Sequence, residues 1–151
     1  MEIPTKPTGR REEPPPPEHL GEVECLRLLR SVEVGRLAVR LSDGGVDVFP
    51  VNFVIDDGTV LFCTAAGTKL SSIQVEPIVA FEADHFDWYE RTAWSVVVKG
   101  TTVQVTDPAE ILELRDGELE AWQHDRKPFF VRITNPMITG RRFTVRRRIE
   151  P

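Results

Sequence analysis

From Gly35 onward the chain is written mostly in short runs where apolar and polar residues alternate, a period of two that predicts strands with one buried face. Ahead of them Leu20, Val23, Leu26 and Leu29 recur at helical spacing, with Gly35 beyond, which predicts a short amphipathic helix. The first strand covers residues 35–41 around Leu37, Val39 and Leu41, and Ser42-Asp43-Gly44-Gly45 turns the chain into the next. Strands at 46–55 and 59–64 form a hairpin over Asp56-Asp57-Gly58, because a turn that requires positive φ favours Asp and Gly. A helix at 69–75 and a largely apolar strand at 77–83 follow. A long strand pair is predicted across 94–105, with Gly100 marking a bulge or a close backbone approach. Asp107 as N-cap and Pro108 at the first position open a helix that runs to about Trp122. Two last strands, 129–133 and 138–145, flank Asn135-Pro136. The reading is a mainly β protein: a small antiparallel barrel of about six to seven strands with short helices packed at its ends.

Composition divides the chain into three. Residues 1–17, ending in four consecutive prolines, carry almost no large apolar side chains and are expected to form a disordered, extended tail. Residues 18–146 form the folded domain and 147–151 a short tail, with the basic run Arg146-Arg147-Arg148 spanning their boundary. A net charge of −5 argues against general nucleic-acid binding and against a membrane surface as partner. No apolar run reaches the length of a membrane span, and the N-terminus lacks the apolar core of a signal peptide, so a soluble cytoplasmic protein is expected. Cys25 and Cys63 have no metal spacing and read as buried free thiols. His19, His85 and His124 are too dispersed for a metal site.

The segment after the hairpin carries the chemistry. Thr64-Ala65-Ala66-Gly67-Thr68-Lys69 ends a strand in small residues, hydroxyls and one ammonium just where a helix begins. Little side-chain bulk covers this backbone, so exposed N–H groups, the helix dipole and Lys69 can converge on an anion such as a phosphate. The spacing is not that of a Gly-rich Walker loop, and a surface turn with a solvated lysine has the same pattern. The acidic and aromatic stretch at 82–89 suits either the wall of a substrate pocket or a contact between subunits.

Five blocks recur in order and register: Gly35-Arg36-Leu37-Ala38, Pro50-Val51-Asn52-Phe53, Thr64 to Leu70, Trp94-Ser95-Val96 and Ile138-Thr139-Gly140-Arg141-Arg142. Together they resemble the pyridoxamine 5'-phosphate oxidase-like family of flavin-binding split β-barrels, in its short single-domain actinobacterial form. The resemblance implies a six-stranded split barrel and a homodimer. It also implies flavin mononucleotide, or in some members a deazaflavin or haem, in a groove between subunits. Carried over by matching positions, Pro50, Val51 and Asn52 would line the isoalloxazine edge. Thr64, Gly67, Thr68 and Lys69 would hold the phosphate, and Trp94 and Ser95 would approach the flavin from another strand. Arg36 and Arg141 are weaker phosphate candidates. The resemblance departs from true pyridoxamine 5'-phosphate oxidases, which continue into arginine and histidine residues that hold that substrate. It departs also from relatives resembling nitroimidazole reductases, which place a histidine where Cys63-Thr64 stand. What it implies is an oxidoreductase-like protein with no obligatory catalytic residue of its own. Such a protein transfers electrons or hydride to a small organic substrate, with a nicotinamide as donor. The alternative is a non-catalytic flavin, deazaflavin or haem module on the same fold.

Overall fold

In the computed structural model, which describes residues 13–117, 119 and 128–145, the alternating patterns become seven strands and three helices among the described residues. In chain order these are β1 (Glu18–Leu20), α1 (Glu22–Leu29), β2 (Val34–Arg40), β3 (Val46–Asp56), β4 (Thr59–Thr64) and α2 (Thr68–Val75). Then come β5 (Ile78–Asp87), β6 (Thr92–Gln104), α3 (Pro108–Arg115) and β7 (Phe129–Thr144). Strands β7-β4-β3-β2-β5-β6 pair in that order, all antiparallel, and β6 pairs back onto β7 to close a six-stranded barrel. β1 is added outside the ring on β7.

Alternation sends one face of each strand inward. Leu37 and Val39 of β2, Val51 and Phe53 of β3, Phe62 of β4, Val79 and Phe81 of β5, Val96 and Val98 of β6, and Val131 and Ile133 of β7 make one buried cluster. α1 adds Cys25, Leu28 and Leu29 to it, and α2 adds Leu70 and Ile73. Burying each large aliphatic or aromatic side chain stabilises the barrel by roughly 1.5–3 kcal/mol. The β3–β4 turn has the expected chemistry, with Asp57 at φ 49° and Gly58 at φ 71°, the left-handed backbone of a two-residue hairpin.

Several boundaries differ from the sequence reading. The two expected C-terminal strands are one strand, β7, which bends at Asn135 (φ 48°) without losing β6. Between the pairs Lys99↔Met137 and Thr101↔Thr134, Asn135 and Pro136 stand opposite Gly100 alone, so the bulge lies on β7 and absorbs the proline. Gly100 is the close approach: a Cβ there would sit 2.6 Å from the Thr134 carbonyl oxygen. The strand pair expected at 94–105 is the single strand β6, starting at Thr92. β5 continues past the expected end at residue 83 through Asp84, His85, Phe86 and Asp87, because the backbone there pairs with Thr92 to Ser95. β1, absent from the reading, precedes a helix that starts only at Glu22. α3 has its Asp107 cap and first-position proline but stops at Arg115. Trp122, His124, residues 1–12 of the expected tail and the arginines at 146–148 lie outside the described residues, while 13–17 carry no regular structure.

Ion pairs tie α1 to the barrel. Arg142 of β7 donates to Glu24 at 2.6 Å and to Glu18 at 3.3 Å, and Arg27 also donates to Glu24 at 2.6 Å. Hydrogen bonds from Arg27 and then Arg142 hold the Glu24 carboxyl down from its usual 4.5 to about 2. A lowered carboxyl favours the fold above pH 4.5 and loses that contribution as pH falls toward about 2. Glu24→Gln is therefore expected to flatten the decline of melting temperature across this window. A melting curve that declines as steeply as that of the wild type would show that the pair carries no pH dependence.

Candidate functional site

The site begins where β3 changes partner. Residues 46–52 of β3 pair with β2, whereas Phe53 to Asp56 pair with β4. The last β3–β4 pair at this end is Phe53↔Phe62, and beyond it Cys63 and Thr64 pair with β7 at Phe130 and Phe129. The two strands therefore part, and among the described residues Val46 to Val51 of β3 have a strand partner on one side only. α2 starts just past this opening. Lys69, in its first turn, reaches across so that its Nζ lies 5.3 Å from the centroid of the Phe49 ring. That distance is a cation–π contact.

The amides of Thr68, Lys69 and Leu70 precede the first bond inside α2, from Ser71 N–H to the Gly67 carbonyl at 3.0 Å. No side chain among the described residues caps them. Among the described residues, chain neighbours apart, no atom lies within 4 Å of where a Cβ on Gly67 would stand, so they leave this backbone open to approach. Burial pushes the Lys69 ammonium below its ordinary lysine value, and Cys63 opposes that weakly. Burial also pushes the Cys63 thiol up to about 11, with Lys69 pulling the other way, so Cys63 stays protonated at neutral pH and is no nucleophile. Among the described residues Lys69 has no carboxylate partner. Open amides, an exposed threonine hydroxyl and an uncompensated, half-buried ammonium are the donor set of a phosphate site.

The other sequence-predicted residues divide by face. Val51 is only 2% exposed and Trp94 8%; both side chains belong to the core, so each has only backbone to offer a ligand. Thr64 is buried, and its hydroxyl donates to the Ala65 carbonyl at 3.3 Å, which shapes the turn. Pro50, Asn52 and Ser95 lie on the outer face, alternating with those core residues. Pro50 and Ser95 are not neighbours. Pro50 pairs with Arg36, Arg36 with Glu82, and Ser95 with Asp84 two residues further along β5. Three strand spacings separate them, about 14 Å along the sheet. The structure thus brings Pro50, Val51, Asn52, Thr64, Gly67, Thr68 and Lys69 to one region and leaves Trp94 and Ser95 in another.

Arg36 is already engaged. It donates to Glu82 at 2.9 and 2.6 Å and to Asp84 at 2.6 Å, so the cluster as a whole is negative. Phe49 is the site residue that sequence reasoning missed; its signal was position, one step before Pro50 on the same strand. A separate cleft of 140 Å³ is lined by Leu70, Ile73, Gln74, Pro77, Thr102, Gln104 and Val131 and contains none of the predicted residues. It is small for an organic ligand, whose pockets run to roughly 300–1,000 Å³. No group of metal-ligating side chains is found among the described residues, and no helix there is long and apolar enough to cross a membrane.

Comparison with known proteins gives a consistent result. The family model for pyridoxamine 5'-phosphate oxidase matches residues 22–142. The chain is 32% identical over 142 residues to the uncharacterised protein Rv0080 of Mycobacterium tuberculosis, covering 89% of this chain and 92% of that one. Among solved structures, the FAD-binding protein of Mycobacterium smegmatis superimposes with a TM-score of 0.70 at 42% identity, covering 83% of this chain and 99% of that one. A FAD-binding protein of Mesorhizobium loti superimposes with a TM-score of 0.68 at 25% identity, covering 83% and 97%.

Proposed function

The chain belongs to the pyridoxamine 5'-phosphate oxidase family, and from that premise we propose that it is a flavin-binding homodimer that passes electrons or hydride to a small organic substrate. The observation that carries this reading is Lys69: a half-buried cation with no carboxylate partner among the described residues, at a helix start whose amides are open. The two neighbours described as FAD-binding support a flavin. We assign flavin mononucleotide; FAD carries a phosphate at the same place on its ribityl chain, so Lys69 would serve either. Once bound, the flavin supplies the redox chemistry. The chain's own residues hold the phosphate through Lys69 and the α2 amides, and offer β3 at Pro50 to Asn52 to the polar edge of the ring.

The homodimer is supported by the split of the predicted residues. Pro50 and Asn52 on one side and Ser95 on the other are too far apart on one chain to flank the same ring, which a second protomer would bring together. The outer face also displays Val46, Val48, Ile78 and Met137, each more than half exposed. A two-fold interface would bury such a face. A nicotinamide donor and a cytoplasmic setting fit this reading.

Purified protein is expected to retain bands near roughly 370 and 450 nm after flavin addition and desalting. At a hundredfold excess over its dissociation constant, flavin is expected to add about 2.7 kcal/mol to stability. That corresponds to a rise of roughly 5–10 °C in melting temperature. A colourless protein whose melting temperature ignores flavin would overturn the proposal.

A further inference from the structure

We propose that α3 is a releasable cover, which leaves the closed barrel as an intact helix when Glu110 lets go of Arg132 and so uncovers the Cys63 thiol. This goes beyond the flavin reading and does not depend on it. Alternation along β4 sends Phe62 into the barrel and Leu61 and Cys63 to its outer face. There Leu61 and Cys63 form a second buried cluster with Val105, Leu119 and Phe130, on which Ile111 and Leu114 of α3 pack.

The covering helix is itself thinly held. None of its eight residues is buried, whereas α1 sinks three side chains into the core and α2 two. Its backbone bonds stay within its own segment: Ile111 N–H donates to the Asp107 carbonyl at 3.0 Å, and Asp116 N–H to the Leu112 carbonyl at 3.3 Å. The cap is local too, from Ala109 N–H to the Asp107 carboxylate at 3.4 Å. Just ahead of the helix, Val105 N–H is tied to the Phe130 carbonyl at 2.9 Å. Exposed Thr106 and Asp107 lie between that tie and Pro108. They are the hinge of a helix that can leave with its own hydrogen bonds intact.

Arg132 is built to let it go. Its backbone is paired on both sides, with Leu61 of β4 and Val103 of β6. Its Nη1 donates to the Asp56 carboxylate at 2.7 Å and to the Thr59 hydroxyl at 3.0 Å, and its Nη2 to Glu110 at 2.6 Å. When α3 leaves, Arg132 keeps Asp56 and Thr59, while the Glu110 side chain, already 39% exposed, passes into water. No charge is left buried without a partner, which is what makes breaking a buried pair so unfavourable. A partly exposed pair contributes little, so the helix rests mainly on Ile111 and Leu114. Segments held this way open locally, well below the free energy of global unfolding. Cys25 is the internal contrast. It is fully buried under α1, whose Glu24 is gripped by Arg27 and Arg142, and a Cβ on Gly140 would stand 2.5 Å from its sulfur. Cys63 and Lys69 act on each other's protonation, so release of α3 changes the surroundings of that cation as well.

Alkylation of the full chain with iodoacetamide, well below its melting temperature and resolved by peptide mass spectrometry, tests this. In the wild type Cys63 is expected to react about 10-fold or more faster than Cys25, and still far more slowly than an unfolded chain. Glu110→Gln is expected to speed Cys63 a further 2- to 5-fold or so, and Leu114→Ala about 10-fold or more. Cys25 should keep its wild-type rate in both. Equal rates for the two cysteines of the wild type would mean that Cys63 is reached only by global unfolding, and would overturn the proposal without any variant. So would a Cys63 that reacts as fast as in the unfolded chain, since nothing would then cover it. Variants that leave Cys63 unchanged, or that speed Cys25 by the same factor, overturn α3 as the cover.

Discussion

Lys69→Ala is expected to weaken binding of flavin mononucleotide about 10- to 100-fold while leaving the cofactor-free protein at least as stable as the wild type. A hydrogen bond to a charged group contributes roughly 1.5–3 kcal/mol, and each 1.4 kcal/mol is about tenfold in affinity. The opposite sign for stability follows from burial. The ammonium of Lys69 is half-buried and is repaid by one aromatic face but by no carboxylate among the described residues, so removing it relieves a cost. The pH dependence follows from the same shift. Burial lowers the folded-state value below the ordinary 10.5. Between that lowered value and 10.5 the unfolded chain binds the extra proton, so stability contributed by this group rises with pH there. Flavin affinity falls over the same range as the charge is lost. Titrations from neutral to alkaline pH should show an affinity slope in the wild type that Lys69→Ala lacks, and a stability slope more positive in the wild type than in Lys69→Ala, because the raised Cys63 thiol adds a falling slope to both proteins. A variant that binds flavin normally would remove Lys69 from the site.

The second large effect is steric. Gly35 of β2 lies so close to the Phe81 ring that a Cβ would stand 2.3 Å from two of its carbons and 2.9 Å from the Glu82 carbonyl oxygen. The ring is fully buried and packs edge-on against Phe53, centroids 4.7 Å apart, so it has nowhere to go. Gly35→Ala is expected to destabilise by about 1–3 kcal/mol through overpacking, and Phe81→Ala by about 3–5 kcal/mol through the cavity it leaves. Because the two changes act on one space, the double variant should cost clearly less than their sum. Denaturant melts of the four proteins decide it; strict additivity would show that Gly35 and Phe81 do not compete.

Local rules carried most of the fold. Asp57-Gly58 announced its hairpin because a two-residue turn needs left-handed residues, and Asp107-Pro108 announced α3 because a helix start needs a cap. Errors came where pairing decided the backbone against local composition. Asn135-Pro136 looked like a break, yet β6 pairs on both sides of it and the bulge opposite Gly100 removes the need for the proline's missing N–H. Asp84 to Asp87 fall beyond the strand expected at 77–83, since they lie past β2, pair with β6 alone, and none of the four is buried. β1 is three residues long and has no pattern of its own; β7 gives it its shape.

For the site, Lys69 and its open helix start were legible, because hydroxyls, glycine and lysine lie side by side in the chain. The capture of Arg36 by Glu82 and Asp84 spans 46 and 48 residues of chain, and the remoteness of Ser95 from Pro50 depends on the register of four successive strands. No local pattern encodes that. The burial of Trp94 against the exposure of Ser95 was readable in principle from alternation along β6, once the phase of that strand was known.

β7 bonds to β1, β4 and β6, and among the described strands it is synthesised after all of its partners. Everything from Val34 to Gln104 can pair before it arrives, since β2, β3, β4, β5 and β6 already form a continuous open sheet. That nascent sheet has two unsatisfied edges, one on β4 and one on β6, with the apolar inner face uncovered between them. At roughly 5–20 residues per second, the stretch from Gln104 to Thr144 takes seconds to synthesise. For that interval the half-built barrel is a template for strands of other chains. A stop or stall within β7 would leave that template permanently exposed, so shortened products of this gene are expected to aggregate or be degraded rather than persist as partial folds.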